Sequence, residues 1–266
     1  MAALNKSVHQ PLDTDNLPTA TAIMSRLRFF QPTRRPVYSR LDFETSWGRA
    51  IIEGKLGQQH VDILEVVMRQ NLGAKVFDGD ARLRVLIDPY CLRKALGGIG
   101  QDKVWEWLKD MQKAIFDVSL NGERYSFSII DEIRQTESRI EGRDPRTKAL
   151  RLKDSDDDGL GRRHWMITFS QRWTKVLDAD IKRFYDPMPI VLLRHGVSQA
   201  IARLLLSHQT KSEAQGGWTV DSLIGAVCGD ISSVNLRHRR HELIKDVAGF
   251  LNLGFVIKDA RIFRVG

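Results

Sequence analysis

Hydrophobic and polar positions divide the chain into three unequal parts. Residues 1–40 show neither a helical nor a strand period, and prolines, threonines and serines are scattered through them. That pattern predicts an unfolded, arm-like segment. Beyond it, Ala50, Ile51 and Ile52 sit in a strand-like stretch. Residues 58–72 then follow a helical period. Val61, Leu64, Met68 and Leu72 mark one face, while Ile63, Val66 and Val67 mark the other. A helix apolar nearly all round is buried deeply or meets a second surface. Residues 82–87 read as a strand, and Asp88-Pro89 is a sharp start signal for a short helix that stops at Gly97-Gly98.

The next helix spans residues 102–116, with Val104, Leu108, Met111 and Ile115 as its buried stripe. Trp107 flanks that stripe; Trp105, Lys109 and Lys113 point away. Residues 117–120 and 125–133 read as strands joined by the hairpin dipeptide Asn121-Gly122, and residues 164–169 as a further strand. The polar run between them, 138–163, reads as a long wing tip.

The last third is the most informative. Residues 197–208, with Ile201, Leu204 and Leu205, open it as a helix. Residues 219–228 form a short amphipathic helix capped by Thr219 and ended by Gly229 in the left-handed conformation. In residues 232–251, Leu236, Leu243, Val247 and Phe250 recur at helical spacing behind an N-cap at Ser232 or Ser233. Opposite that stripe lie Val234, His238, His241 and Lys245, with Arg237 on one shoulder. Arg239 and Arg240 fall nearer the apolar edge, where their stems can pack while the heads reach out. Residues 255–265 alternate around Lys258-Asp259 as a small hairpin. Two helices, a tight turn and a hairpin describe a winged helix.

The same order of helix, short helix, longer helix and hairpin occurs earlier, over residues 58–169. The predicted fold class is therefore α+β: two tandem winged-helix domains behind a flexible N-terminal arm. The predicted bounds are 1–40 for the arm, 41–186 for the first domain and 187–266 for the second, with Pro187 and Pro189 at the boundary.

Composition narrows the partner. The net charge of +8 favours a polyanion. No apolar run is long enough to span a bilayer, and the N-terminus lacks the apolar core of a secretion signal, so the expectation is a cytoplasmic protein with no membrane partner. Two cysteines, Cys91 and Cys228, are too few for a disulfide framework or a structural zinc site, and each reads as a small buried apolar residue. No phosphate loop, nucleophile elbow or paired-carboxylate motif is found, so no enzyme and no cofactor are expected. The acidic run at 154–159 imitates the start of a calcium loop, but Trp165 stands where that loop needs a bidentate Glu. His238 and His241 lie one turn apart with no third ligand at metal spacing.

Cations on a groove-sized helix fit duplex DNA. Lysines and arginines displace counterions from phosphates, and Arg237 and Asn235 carry planar donors suited to base edges. Ser232 and Ser233 sit where helix N–H groups favour a phosphate. The predicted DNA-binding residues are Ser232, Ser233, Asn235, Arg237, His238, Arg239, Arg240, His241 and Lys245. Arg261 and Arg264 join them on the wing. Lys109 and Lys113 hold the matching place in the first domain, where positioning or dimerisation is expected more than base reading. Within the arm, Arg26, Arg28, Arg34, Arg35 and Arg40 could track phosphates. Residues 27–30 could dock in a partner, or Phe29 and Phe30 could simply tie the tail down.

Five short runs carry a resemblance. They are Gly-Gln-Gln-His-Val-Asp-Ile-Leu at 57–64, Leu-Arg-Lys-Ala-Leu-Gly at 92–97, Trp-Leu-Lys-Asp-Met at 107–111, Leu-Ile-Gly-Ala-Val-Cys-Gly at 223–229 and Arg-His-Arg-Arg-His-Glu-Leu at 237–243. In their order and spacing the chain resembles plasmid replication initiators of the TrfA and Rep type, over residues 51–266. The resemblance implies binding to repeated origin sites (iterons), opening of an adjacent A·T-rich segment, and recruitment of host replication proteins such as helicase, initiator or sliding clamp. It also implies a homodimer formed through the first domain. The acidic insert at 154–158 departs from that pattern. A transcriptional repressor or plasmid maintenance regulator on the same fold is the first alternative; a nicking or priming enzyme is the second.

Overall fold

The computed structural model describes residues 17–26, 28–45, 48–69, 75–77, 82–120, 123–136, 139–143, 150–153, 164–208 and 215–265. The chain opens with β1 (Ala20–Thr21) and α1 (Ala22–Arg26), then the hairpin β2 (Ser39–Thr45) and β3 (Gly48–Gly54). Helix α2 (Gln58–Arg69) is followed by β4 (Lys75–Phe77), β5 (Leu83–Ile87), α3 (Pro89–Ala95) and α4 (Gln101–Lys113). Strands β6 (Ile115–Leu120), β7 (Glu123–Phe127), β8 (Ile130–Thr136), β9 (Arg139–Arg143), β10 (Leu150–Lys153) and β11 (His164–Phe169) come next. Helix α5 (Gln171–Ala179), β12 (Lys182–Arg183), α6 (Met188–Val191) and α7 (Gly196–Ser207) lead into the last third. There β13 (Trp218–Thr219), α8 (Val220–Cys228), α9 (Ser233–Lys245), α10 (Val247–Asn252), β14 (Phe255–Lys258) and β15 (Arg261–Arg264) complete the chain.

This is an α+β fold with two hydrophobic cores. One gathers α2 to α5 and their strands around Leu64, Leu108, Phe116, Trp165 and Trp173. The other gathers α7 to α10 around Ile201, Ile224, Leu243, Phe250 and Ile262. The two share an order of elements, α2, β5, α3, α4, β8 and β11 in one and α7, β13, α8, α9, β14 and β15 in the other, with α10 added in the second and β4, β6, β7, β9 and β10 in the first. In each sheet the first strand pairs with the last and the last with its predecessor, giving β5-β11-β8 and β13-β15-β14. Strand β4 extends the first of these sheets.

The first core departs from expectation in its hairpin. Strands β6 and β7 flank Asn121-Gly122, but the predicted strand 125–133 is divided between β7 and β8, and β6–β7 join β2 and β3 in a separate sheet ordered β2-β3-β6-β7. The hairpin equivalent to the C-terminal one is β8–β11. Ile115 was assigned to the buried stripe of α4; it lies past the end of that helix, in β6, and is 47% exposed. Trp105 was predicted to point away, yet its ring packs on Trp165 with centroids 5.0 Å apart. The acidic run at 154–159 lies outside the described residues.

The arm is folded from residue 17 onward. Phe29 and Phe30 are buried in the first core, with Phe29 edge-on to Phe116 at 5.7 Å. Strand β1 pairs with β12, and α1 packs on α7. Two buried aromatics outweigh the weak local propensity of the segment, each worth roughly 2–3 kcal/mol of transfer energy. Of the alternatives for this stretch, the tail tied down by its aromatics is the one observed.

Helix α2 is buried along its length, polar residues included: Asp62 and Glu65 are 1% and 0% exposed. Their partner is Arg203 on α7, in the other core. Its Nε and Nη2 donate to the two Glu65 oxygens at 2.9 and 2.8 Å, Nη2 also to Asp62 at 2.6 Å, and Nη1 to Gln58 at 2.8 Å. Gln199 donates to Asp62, Tyr185 Oη donates to Glu65, and Arg34 lies 3.5 Å from Asp62. Burial pushes the Glu65 carboxyl above its ordinary range against the pull of Arg203. Burial acts to lower Arg203, and the two carboxylates outweigh it and hold the guanidinium up.

The long C-terminal helix was predicted as one; it breaks at Asp246 into α9 and α10. The Asp246 carboxylate accepts from the backbone N–H groups of Arg194 and His195, each at 3.1 Å, and from His195 Nδ1 at 2.9 Å. It thereby bolts the end of α9 to the start of α7. The bend turns Val247 outward, 38% exposed, while Phe250 stays buried.

Two stability predictions follow from these bonds. Arg203→Met leaves buried Glu65 without a cation and Asp62 with Arg34 alone, and is expected to cost about 3–5 kcal/mol in urea denaturation. Adding Asp62→Asn and Glu65→Gln should recover most of that loss. Burial pushes the Asp246 carboxyl up, but the donors around it prevail and hold it below the ordinary range. Its stabilisation is thus complete above the unfolded-chain value of about 3.9 and is lost as pH falls through the depressed folded value. Asp246→Ala should cost roughly 2–3 kcal/mol at neutral pH, and the gap from wild type should close in acid.

Candidate nucleic-acid interface

The site is built by three sequence signals around α9. Thr219 Oγ1 accepts from the Ser222 N–H to start α8, and Gly229, at φ 75°, ends it. Ser232 Oγ accepts from the Asn235 N–H to start α9. Leu243, 1% exposed, and half-buried Leu236 hold α9 on the core. Those two anchors rotate the opposite face of the helix to solvent.

On that face Ser233, Val234, Arg237, His238, His241 and Lys245 are all exposed, and Ser232 is exposed just before it. Asn235 is exposed on the flank beside half-buried Arg239. Arg239 donates to Glu242 at 2.8 Å along the same helix. Arg240 leans toward α8, where its Nε donates to Asp221 Oδ1 at 2.6 Å and its Nη2 to Oδ2. Those bonds hold the Asp221 carboxyl below its ordinary range. Arg237 and Lys245 meet no carboxylate in an ion pair among the described residues. Of the four cations on α9, these two therefore project with their charge least compensated.

The hairpin predicted as a wing is formed by β14 and β15. Arg261 and Arg264 are exposed on β15, but Arg261 is tied back to the Gly216 carbonyl. The hairpin turns on Asp259 and Ala260, both at positive φ. Lys109 and Lys113 are exposed on α4 and belong to the other core; Lys109 Nζ sits 5.9 Å from the Trp105 ring centre. Three carboxylates, Asp102, Glu106 and Asp110, interleave with the three lysines of α4. The matching helices of the two cores thus differ in charge: α4 balances, whereas α9 sets four cations against Glu242 alone.

Sequence reading missed Asp221 as the partner of Arg240, since the two are 19 residues apart across a turn with no helical spacing to link them. It named Arg28 among the arm's possible phosphate contacts but missed its place over Gly229, where a Cβ would collide with its guanidinium. Cys91 is exposed rather than buried, and Cys228 is half-buried, with burial pushing its thiol up. Among the described residues there is no group of three or more His, Cys, Asp or Glu side chains able to hold a metal, and no helix long and apolar enough to cross a membrane.

No protein-family model and no curated protein matches the chain. Among solved structures, the crystal structure of RctB domains 2-3 (RctB-155-483) is similar, with a TM-score of 0.53 and 13% identity over 91% of this chain and 94% of that one. The likeness is one of fold and spans both cores.

Proposed function

We propose that this protein is a DNA replication initiator that reads duplex DNA with α9. The observation that carries the reading is the exposed face of that helix. Its apolar anchors point inward, its N-terminus is capped and open, and Arg237, His238, His241 and Lys245 project together. A single α-helix with such a face fits the major groove, where Arg237 can pair two acceptors on guanine. The fold is similar to that of RctB domains 2-3, and the initiator role rests on the resemblance of the five sequence runs.

In finer detail, both cores are read as winged helices. The C-terminal one binds repeated origin sites, with α8 bracing α9 and β14–β15 lying against the neighbouring backbone. The first core, whose α4 is charge-balanced, positions the molecule or pairs with a second copy. Opening of the origin and recruitment of host replication proteins complete the proposal, on a plasmid origin in a bacterial cytoplasm. The protein supplies binding energy and no chemistry of its own.

Salt-dependent binding to short duplexes tests this. Arg237→Ala should cost about 1–3 kcal/mol and relax preference at one base position, and Lys245→Ala should flatten the salt slope by about one unit. Unchanged affinity and slope in both variants would remove α9 from the interface. Lys109→Ala with Lys113→Ala should change the slope less than Lys245→Ala alone. Replication of an origin plasmid with the protein supplied in trans separates an initiator from a repressor.

The Arg240–Asp221 pair gives a second expectation. A carboxylate that accepts both arms of the guanidinium occupies the place of a phosphate. Asp221→Asn frees Arg240 and should tighten binding to random-sequence duplex by about two- to five-fold, the worth of an exposed ion pair. It should also steepen the salt slope by about 0.9. Asp230→Asn, which removes an exposed charge from the turn between α8 and α9 without touching Arg240, controls for net charge. An equal effect from both variants would show that the pair itself does nothing.

A further inference from the structure

Val234 stands out on the exposed face of α9. It is 62% exposed. It is the second residue of the helix, roughly opposite the Leu236 and Leu243 anchors and flanked one turn on by Arg237 and His238. Helix stability does not account for it, because a β-branched side chain is a poor helix former and an exposed one buries nothing. Core packing does not account for it either, since the apolar stripe runs along the other side. Three further apolar residues, Ile244, Val247 and Leu251, are exposed in this region, but all lie beyond Leu243, at the end of α9 or within α10. Val234 alone is apolar on the outward side of the first turn, about 16 Å from Lys245 along the axis.

When a recognition helix enters the major groove, its N-terminal residues meet the base edges. The groove floor presents one apolar group, the C5-methyl of thymine. We infer that Val234 is a specificity-determining residue that packs its two methyl groups against a thymine methyl in the recognised site. The open, capped N-terminus beside Ser232 and Ser233 suits the adjacent backbone phosphate. That contact sets the helix with its first turn toward the groove floor. Arg237, one turn on, then reaches a base next to the thymine, so the two side chains read neighbouring steps. This inference rests on the reading of α9 as the DNA-binding helix.

The test begins with selection of bound sequences from a random duplex library by the full-length protein. Thymines of the selected site are then replaced one at a time by deoxyuridine, which removes only the methyl group and leaves the hydrogen-bonding pattern intact. At one position the wild type should lose about four-fold in affinity, the worth of one methyl group returned to water. Val234→Ala should bind the thymine and deoxyuridine duplexes equally at that position, while Arg237→Ala should still tell them apart. Val234→Ile, which keeps the apolar contact, should preserve the discrimination. If every deoxyuridine substitution is silent, or if Val234→Ala keeps the full sensitivity, the inference is overturned while duplex binding by α9 stands. If the library yields no selected site and the protein does not bind duplex at all, the underlying reading fails instead.

Discussion

Arg203 is the residue on which the architecture turns. It sits 3% exposed between two carboxylates of α2, and every one of these charges is withdrawn from water. Ions so placed cost several kcal/mol each to desolvate, and their mutual attraction offsets this only where geometry and hydrogen bonding are nearly complete. Here they are: Gln58, Gln199, Tyr185 and Arg34 satisfy the remaining oxygens and donors. An apolar seam of the same shape would tolerate sliding. A forked guanidinium held by two acids does not. The joint between the two cores is therefore a fixed register, set by α2 from one side and α7 from the other.

That register carries through to α9. Asp246 locks the end of α9 to the first residues of α7, and Arg203 locks the middle of α7 to α2. The N-terminal segment closes the remaining side. Arg34 donates to the carbonyls of Val191 and Leu193, and Thr33 lies so close to Gly196 that no larger residue fits there. Arg28 reaches the turn between α8 and α9. What reads locally as an arm is thus a strap across both cores, and a displacement of it would reach α9 through named contacts.

Much of this was legible where the cause is local. The caps at Asp88, Thr219 and Ser232, the stop at Gly229 and the C-terminal hairpin all rest on a few consecutive residues, and the structure has them as the sequence implies. The all-round burial of α2 was legible too, from apolar residues on opposite faces. What could not be read depends on distant partners. Arg203 and its acids are 138 and 141 residues apart. Asp246 looks like any polar residue inside a helical period until Arg194 and His195 are placed beside it. The strap was not legible for the same reason: its two phenylalanines have no period of their own, and Phe29 packs against the distant Phe43 and Phe116. On the site itself, periodicity identified which side of α9 faces water, but not that Asp221 compensates Arg240.

The two cores share a topology and diverge in charge, and the divergence follows from where each is anchored. Helix α2 spends its polar residues on the joint, so the first core is committed to holding its neighbour. Its α4 alternates lysines with carboxylates, and a phosphate approaching Lys109 also meets Asp102, Glu106 or Asp110. Repulsion from those acids cancels much of the attraction, because exposed charges within a Debye length act together. Helix α9 has one internal acid and lends it to Arg239. Attraction for a polyanion therefore concentrates at Arg237 and Lys245, on the element whose end is tied through Asp246 to Arg194 and His195. A binding surface gains little from charge if it can rotate away from its target. In this molecule the cationic helix and the rigid joint depend on each other, which is the physical reason to treat the buried seam at Arg203 as part of what presents α9.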